Sequence, residues 1–383
     1  IKKIRRFDNM KIWTKRIAAF LILILLFIGQ ATASVAAVQI NEAIKDTALY
    51  IYKTVKDPQV DSVGGEWAVI GLARSGFNIP DSYYENYYNT VEAHVKAVNG
   101  ILHDKKYIEY SRVILGLTAA GYDPTDVAGY DLTKALGDFE KTIWQGINGP
   151  IFALIALDSG NYPIPENSEA TVQATRDMYV DEILKRQLPD GGFSLFGGIE
   201  DAKDDDLQGD PDITAMALQA LAKYQDRPDV KNATEKALIC LSELQNNKGG
   251  YTSWGKDNIE SVAQVIVALT ELGIPLDDSR FVKNGKTLPD NLMTFYIKGQ
   301  GFCHIANGGS DQMATEQGFY ALVAAERAQK GKNSLYSMTE VSITEDKVRD
   351  MLAQFIDYIY SFDRARFPLA FLLRCGYILP VGY

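Results

Sequence analysis

The chain has 383 residues, of which 46% are hydrophobic and 23% are charged, and its formal net charge is −10. This composition excludes a disordered or fibrous chain and provides enough apolar material for a large core. The acidic excess disfavours nucleic acid and anionic lipid as partners, and three cysteines exclude a disulfide-rich scaffold.

Residues 1–33 are typical of pre-start residues followed by a signal peptide. Residues 1–9 precede the first methionine, Met10, and a basic start and an uncharged stretch at 17–29 follow. Small residues at 31–33 fit a cleavage site. The stretch is shorter than the roughly 20 apolar residues that span a bilayer. We therefore predict a secreted or cell-surface protein that meets the membrane only through its signal peptide; an uncleaved anchor is the alternative.

Six apolar segments with small residues on one side recur along the chain, and most end near a glycine. Their spacing of about 40 to 64 residues suits a helix, a turn, a second helix and a loop. The segments cover residues 66–76, 109–121, 148–160, 212–224, 260–273 and 315–328.

Amphipathic segments lie between these apolar segments, at 40–55, 84–98, 132–143, 171–187, 231–245 and 292–298. Helices that are apolar nearly all round are expected to be buried on most faces. Their alternation with amphipathic helices predicts an all-α, (α/α)6 toroid with an inner ring wrapped by an outer ring, over residues 34–335. An open superhelical stack of helix pairs is the alternative. Residues 336–383 are treated as a C-terminal extension.

Several motifs resemble those of a known superfamily. Gln187 and Gln245 each open a Gln…Gly-Gly-aromatic motif, QLPDGGF and QNNKGGY, and DPDITAMALQAL covers 210–221. On these residues the chain resembles secreted bacterial proteins with prenyltransferase/squalene-oxidase repeats, in the terpenoid cyclase and protein prenyltransferase α/α-toroid superfamily. The family is related to the α-domains of cobalamin carriers. The resemblance implies a toroid and favours a corrinoid-like ligand.

One of these motifs carries a candidate proton donor. The sequence DPDITA that begins at Asp210 resembles the acid motif of class II cyclases, Asp-x-Asp-Asp-Thr-Ala, with Asp212 in the middle position and Ile213 in place of the third acid. Such an acid must be kept protonated by burial and by neighbouring acids. The alternative is that Asp212 caps the helix that follows.

Candidate metal ligands are few. Asp204, Asp206 and Asp210 lie in an acidic stretch that suits Ca²⁺, although the spacing is not that of an EF-hand and a solvated loop is the alternative. Cys303 and His304 are adjacent and poorly placed to share one zinc ion. We therefore assign no other metal or cofactor.

Polar and aromatic residues mark the starts of the predicted inner helices. Because the inner helices of a closed ring run parallel, these starts should gather at one rim, where helix N–H groups are free. Aromatic residues in the preceding loops could wall the rim. The predicted ligand-binding residues are Glu66, Trp67, Tyr110, Asn148, Phe193, Asp210, Asp212, Trp254, Glu260, Gln264, Gln312, Glu316 and Gln317.

We expect, first, a non-catalytic protein that binds a corrinoid-like small molecule or a glycan at this rim and associates with the cell wall. The alternatives are an enzyme, either a terpene cyclase that uses Asp212 as its acid or a polysaccharide-degrading enzyme, and a structural surface module. An apolar cavity leading to Asp212 would favour the cyclase, whereas a polar groove with paired carboxylates would favour glycan chemistry.

Overall fold

The computed structural model describes residues 39–198, 207–253 and 255–343. The predicted signal peptide, the aromatic residue Trp254, the calcium candidates Asp204 and Asp206, and the extension beyond residue 343 lie outside the described residues. Within the described ranges, no helix is both long enough and apolar enough to cross a membrane.

The helices form two layers. The outer helices are α1 (39–54), α3 (Asp81–Ala97), α5 (Phe139–Ile143), α7 (Arg176–Lys185), α9 (Pro228–Leu244) and α11 (Leu288–Leu292). The inner helices are α2 (Trp67–Ser75), α4 (Ile108–Ala120), α6 (Asn148–Ser159), α8 (Pro211–Leu221), α10 (Ile259–Glu271) and α12 (Gln312–Gln329). Each inner helix contacts the next, and α12 contacts α2. The ring is therefore closed, and the predicted all-α toroid is confirmed.

The inner helices are buried on nearly all faces, as their composition predicts. In α6 every residue from Gly149 to Ser159 is buried, and α4 and α10 bury almost their whole length. Apolar side chains on all sides of a helix leave it no face suited to water. The core of the molecule is therefore the ring of inner helices itself.

Two outer helices differ from their predicted lengths. Asp131 and Asp138 each accept backbone N–H groups, so that 132–143 divides into a 3-10 turn and the short α5. The segment 171–187 becomes helical only after Thr175, whose hydroxyl caps α7. In both places a side-chain cap sets the start of a helix.

The predicted helix at 292–298 is misplaced, because α11 ends at Leu292, a 3-10 turn covers Met293–Phe295, and β3 follows. Short strands occupy this region and the loop before α10, where they form a hairpin and a three-stranded antiparallel sheet. They are β1 (Thr252–Ser253), β2 (Lys256–Asp257), β3 (Tyr296–Ile297), β4 (Gly301–Cys303) and β5 (Ser310–Asp311). Strands of two or three residues give no readable alternation, which is why the sequence pattern did not indicate them.

The Gln…Gly-Gly-aromatic motifs join neighbouring hairpins. The side-chain amide of Gln187 donates to a carbonyl in its own turn and to that of Ala233 in α9, both at 2.8 Å. Gln245 forms an equivalent pair of bonds. The aromatic residues of the two motifs, Phe193 and Tyr251, are fully buried. The motifs therefore contribute to packing.

The segment after α12 closes one end of the ring. Arg74, near the end of α2, donates to three backbone carbonyls of this segment, and Arg327 of α12 donates to a fourth. Both guanidinium groups also bind the Glu340 carboxylate at 2.8 Å. Glu271 of α10 accepts the backbone N–H of Tyr336 at 3.0 Å. The backbone N–H of Met338 also donates to Ser159 of α6, so the segment is attached to four inner helices.

Gly71 provides a test of ring closure. A Cβ added to Gly71 would lie 2.7 Å from Cδ1 of Phe319, a fully buried residue of α12. In an unpacked helix, replacement of glycine by alanine stabilises by about 0.5–1 kcal/mol. Here we expect Gly71→Ala to lower the free energy of unfolding by about 1–3 kcal/mol, because the added methyl group overpacks the interface. Urea denaturation measures the change.

The control is the same substitution in a Phe319→Leu background. Leucine removes ring atoms that the new methyl group would meet, so the cost of Gly71→Ala should shrink there. A variant that is more stable than the wild type would show that α2 and α12 are not closely packed.

Candidate functional site

The N-terminal halves of the inner helices surround a cavity of about 620 Å³. All six contribute lining residues: Trp67 from α2, Ile108 and Arg112 from α4, Phe152 from α6, Asp212 and Met216 from α8, Glu260 and Gln264 from α10, and Met313, Gln317 and Tyr320 from α12. Tyr336, from the segment after α12, also lines the cavity. The inner-helix starts therefore converge around one opening, with the closing segment at its floor.

Aromatic rings form one wall of the cavity. The Trp67 indole lies between Phe152 and Tyr320, with ring centroids 6.1 and 5.9 Å away. These three residues come from α2, α6 and α12, so the wall spans the ring. Trp67 is partly exposed and offers an apolar surface to a bound molecule.

A chain of amides forms another part of the wall. The Gln264 side-chain nitrogen donates to Gln317 at 3.0 Å and to the Tyr320 hydroxyl at 2.7 Å. Gln219 donates to the Gln264 side-chain oxygen at 2.9 Å. These bonds join α8, α10 and α12 and hold the amide groups in fixed orientations.

Asp210, and not Asp212, caps α8. One Asp210 oxygen accepts the backbone N–H groups of Asp212 and Ile213 at 2.9 and 3.0 Å, and the other accepts the Ser253 hydroxyl at 3.0 Å. The capping role that the sequence offered for Asp212 is therefore taken by its neighbour. Asp212 is left with its carboxyl group facing the cavity, and its Oδ1 is buried without a hydrogen-bond partner in the described part of the chain.

The environment of Asp212 favours a neutral carboxyl group. Burial raises its pKa from 3.8 to about 7, and the nearby negative charges of Asp210 and Glu260 act in the same direction. The Ser261 hydroxyl opposes them by hydrogen bonding. Desolvation and like charge are the two effects that keep an acid protonated near neutral pH.

Glu260 lies two residues after the cap of α10 and is hydrogen-bonded to His304. The cap is Asn258, which accepts the Ser261 backbone N–H at 2.9 Å. The Glu260 carboxylate contacts Nδ1 of His304 at 2.8 Å. Burial raises the pKa of Glu260, and His304 partly offsets that effect. The cavity thus contains two carboxyl groups in different environments.

Arg112 is held at the cavity edge by two glutamates. Its Nε donates to Glu66 at 2.7 Å, and an Nη contacts Glu109. Glu66 is fully buried and also accepts the Tyr87 hydroxyl at 3.3 Å. Burial raises the pKa of Glu66 and Arg112 opposes it. Glu66 therefore orients Arg112 and does not itself line the cavity.

Several other predicted ligand-binding residues have structural roles, in internal hydrogen bonds or in the core. Glu316 is buried and accepts the Gly64 N–H at 2.9 Å and the Gln312 amide at 2.7 Å. Tyr110 is buried and accepts a backbone N–H in the preceding loop. Phe193 lies in the core.

Asn148 stands at the start of α6 and is partly buried, with a side-chain oxygen that has no partner among the described residues. Of the predicted residues, the structure places five on the cavity: Trp67, Asp212, Glu260, Gln264 and Gln317. Their role in binding stays a prediction.

Several lining residues are not among those predicted from the sequence. Ser253 and Lys256 belong to the β1–β2 hairpin, and His304 follows β4. Arg112 and Tyr320 lie one and two turns inside their helices, beyond the first-turn positions from which the ligand-binding residues were predicted. A search for polar residues at the fourth and eighth positions after each start would have found these last two.

Within the described ranges, no group of three or more His, Cys, Asp or Glu residues is placed to hold a metal ion. Two of the calcium candidates lie outside those ranges, and the third, Asp210, is the cap of α8. The calcium site stays a prediction.

Solved structures share this architecture. The crystal structure of an unsaturated glucuronyl hydrolase from Bacillus sp. GL1, responsible for the degradation of glycosaminoglycan, matches with a TM-score of 0.51 and 13% identity, over 78% of this chain and 97% of that chain. A UGL variant with dGlcA-Glc-Rha-Glc matches with a TM-score of 0.48 and 12% identity over the same shares. No family model and no curated protein matches the chain. The likeness supports the α/α toroid fold.

The raised pKa of Asp212 gives a pH-dependent stability. Between pH 3.8 and about 7 the unfolded carboxyl group is ionised while the native one is not. The free energy of unfolding should therefore fall as pH rises through this window, by up to about 1.4 kcal/mol per pH unit. Asp212→Asn removes this contribution, so the variant should gain stability relative to the wild type from pH 5 to pH 7. Urea midpoints at each pH measure the trend.

Asp278→Asn is the matched control. Arg280 lowers the pKa of Asp278 below 3.8, so the stabilisation that it provides is complete above that pH and is lost only in more acidic solution. The difference between this variant and the wild type should stay constant from pH 5 to pH 7. If the stability of Asp212→Asn also differs from that of the wild type by a constant amount from pH 5 to pH 7, Asp212 is ionised throughout this range.

Proposed function

We propose that this protein is a hydrolase of glycans that binds a saccharide in the ring cavity and uses Asp212 as its proton donor. The observation that carries this proposal is the Asp212 carboxyl group, which lines the cavity with one oxygen buried and unpaired among the described residues. Because its pKa is raised to about 7, the group retains a proton near neutral pH. Protonation of a glycosidic oxygen requires such an acid.

The lining of the cavity supports a saccharide ligand. Gln317 offers its side-chain amide nitrogen to hydroxyls, and Trp67 offers a flat apolar face for the C–H surface of a sugar ring. A second carboxyl group, Glu260, shares the cavity with Asp212. A cavity whose wall carries two carboxyl groups and amide side chains beside its aromatic rings fits glycoside hydrolysis better than the cyclisation of an apolar terpene.

The shared fold suggests where to begin the search for a substrate. The glucuronyl hydrolase that resembles this chain acts in glycosaminoglycan degradation, so oligosaccharides that end in an unsaturated or saturated uronyl residue are the first substrates that we propose. Non-catalytic binding, which we favoured from sequence, becomes the second candidate. The signal-peptide pattern supports secretion or a cell-surface location as part of this proposal.

Turnover of uronyl and neutral oligosaccharides tests the proposal. We expect the wild type to release a product from at least one of them, detected by chromatography. Asp212→Asn should lower kcat/KM by about 100- to 10,000-fold, because an amide cannot donate the required proton. Calorimetric affinity for the same saccharide should change by less than about threefold, since the amide keeps the size and polarity of the side chain.

The same panel separates the alternatives. If the wild type binds a saccharide but turns none over, non-catalytic glycan binding is favoured. If it binds cyanocobalamin and no saccharide, a corrinoid carrier is favoured. Full activity of Asp212→Asn would remove Asp212 from the mechanism. Asp181→Asn, a change on the exposed outer surface of α7, serves as the control and should retain wild-type turnover.

A further inference from the structure

Glu260 and His304 form a hydrogen-bonded pair on the cavity wall, in which Glu260 is buried and His304 is exposed. Nδ1 of His304 lies 2.8 Å from a Glu260 oxygen. Glu260 is 7% exposed, whereas the His304 side chain is 47% exposed. The His304 carbonyl also accepts the backbone N–H of Ile259, the first residue of α10, at 3.2 Å. Both members of the pair are therefore fixed at the start of one helix.

The pairing determines which ring nitrogen can accept a proton. A carboxylate accepts hydrogen bonds, so it holds the proton of a neutral imidazole on Nδ1 and leaves the lone pair on Nε2. Nε2 of His304 has no hydrogen-bond partner among the described residues, and the ring lines the cavity. A carboxylate that orients a histidine in this way is a recurrent arrangement of a general base.

Glu260 is poorly placed to react directly. One of its oxygens is bonded to His304, and the other is buried and makes no hydrogen bond within the described ranges. The bonded oxygen holds the imidazole in place, and the imidazole is the more exposed member of the pair. Glu260 therefore acts as a positioning residue, and the accessible member of the pair is His304.

The surrounding charges separate this pair from Asp212. Asp311, the cap of α12, and Asp212 are the acids near Glu260, and Lys256 is the other charged group from the adjoining hairpin. Both carboxyl groups have acids nearby, but only Glu260 also has an imidazole partner. One carboxyl group is thus kept protonated and the other is paired with a base, an arrangement that supplies an acid and a base to the same cavity.

We propose that His304, oriented by Glu260, is the general base of the reaction. The inference rests on the proposed hydrolase function. Nε2 of His304 takes a proton from water as the water oxygen bonds to the electrophilic sugar carbon. The bond from this carbon to the leaving oxygen breaks, and Asp212 gives its proton to that oxygen. One water is consumed, and transfer of a proton from His304 to Asp212 through solvent restores both groups.

Kinetics of three variants test the assignment, on whichever saccharide the wild type turns over. We expect His304→Gln to lower kcat by about 100-fold or more, with KM within about threefold, and to abolish the fall in rate on the acidic side of the pH profile. Glu260→Gln should lower kcat by about tenfold and retain that acidic fall, because the imidazole is still present. His94→Gln, on the outer helix α3, is the control and should match the wild type.

Chemical rescue separates catalysis from folding. In His304→Ala, free imidazole should restore turnover in a concentration-dependent way, and thermal unfolding should confirm that the variant is folded. If His304→Gln keeps turnover within threefold of the wild type while Asp212→Asn loses turnover, the assignment of His304 as the base is overturned. The hydrolase proposal would still stand. No turnover by the wild type would instead overturn the hydrolase proposal. If the His304 variants lose turnover, free imidazole does not restore it, and the pH profile is unchanged, His304 is a structural residue.

Discussion

The contact between α2 and α12 joins the first inner helix to the last and turns a row of helix pairs into a ring. Gly71 permits this contact, since a side chain there would meet the Phe319 ring. Closure makes the six helix starts face one another around a single cavity. In an open stack the residues of α2 and α12 would lie at opposite ends, and the wall in which Trp67 contacts Tyr320 would not exist.

Closure also has an electrostatic consequence, because it gathers the N-termini of the helices together with their acids. In α8 and α10 a capping residue, Asp210 or Asn258, satisfies the first N–H groups. An acid follows two residues later in each helix, Asp212 or Glu260, and faces the cavity. Because the caps already accept the backbone N–H groups, these acids are available for another role.

The sequence predicted the ring well because helical periodicity and burial are local and strong signals. All six inner helices lie close to their predicted bounds, and the helix starts meet as expected. The side chains of the cavity were harder to identify. Glu66 and Glu316 are acids near the starts of inner helices, as the lining acids are, yet they are buried and bind Arg112 and the backbone of Gly64, which are contacts between distant segments. A sequence pattern does not contain those contacts.

The loops that precede α10 and α12 carry lining residues that the periodic pattern missed, and they determine the chemistry of the two carboxyl groups. The β1–β2 hairpin brings Ser253 to Asp210, which fixes the cap and leaves Asp212 beside a negative charge. The β3–β5 sheet brings His304 to Glu260 and gives this second acid a basic partner. The helices hold both acids in equivalent positions. Their different environments come from the loops, where functional residues on a rigid scaffold are commonly found.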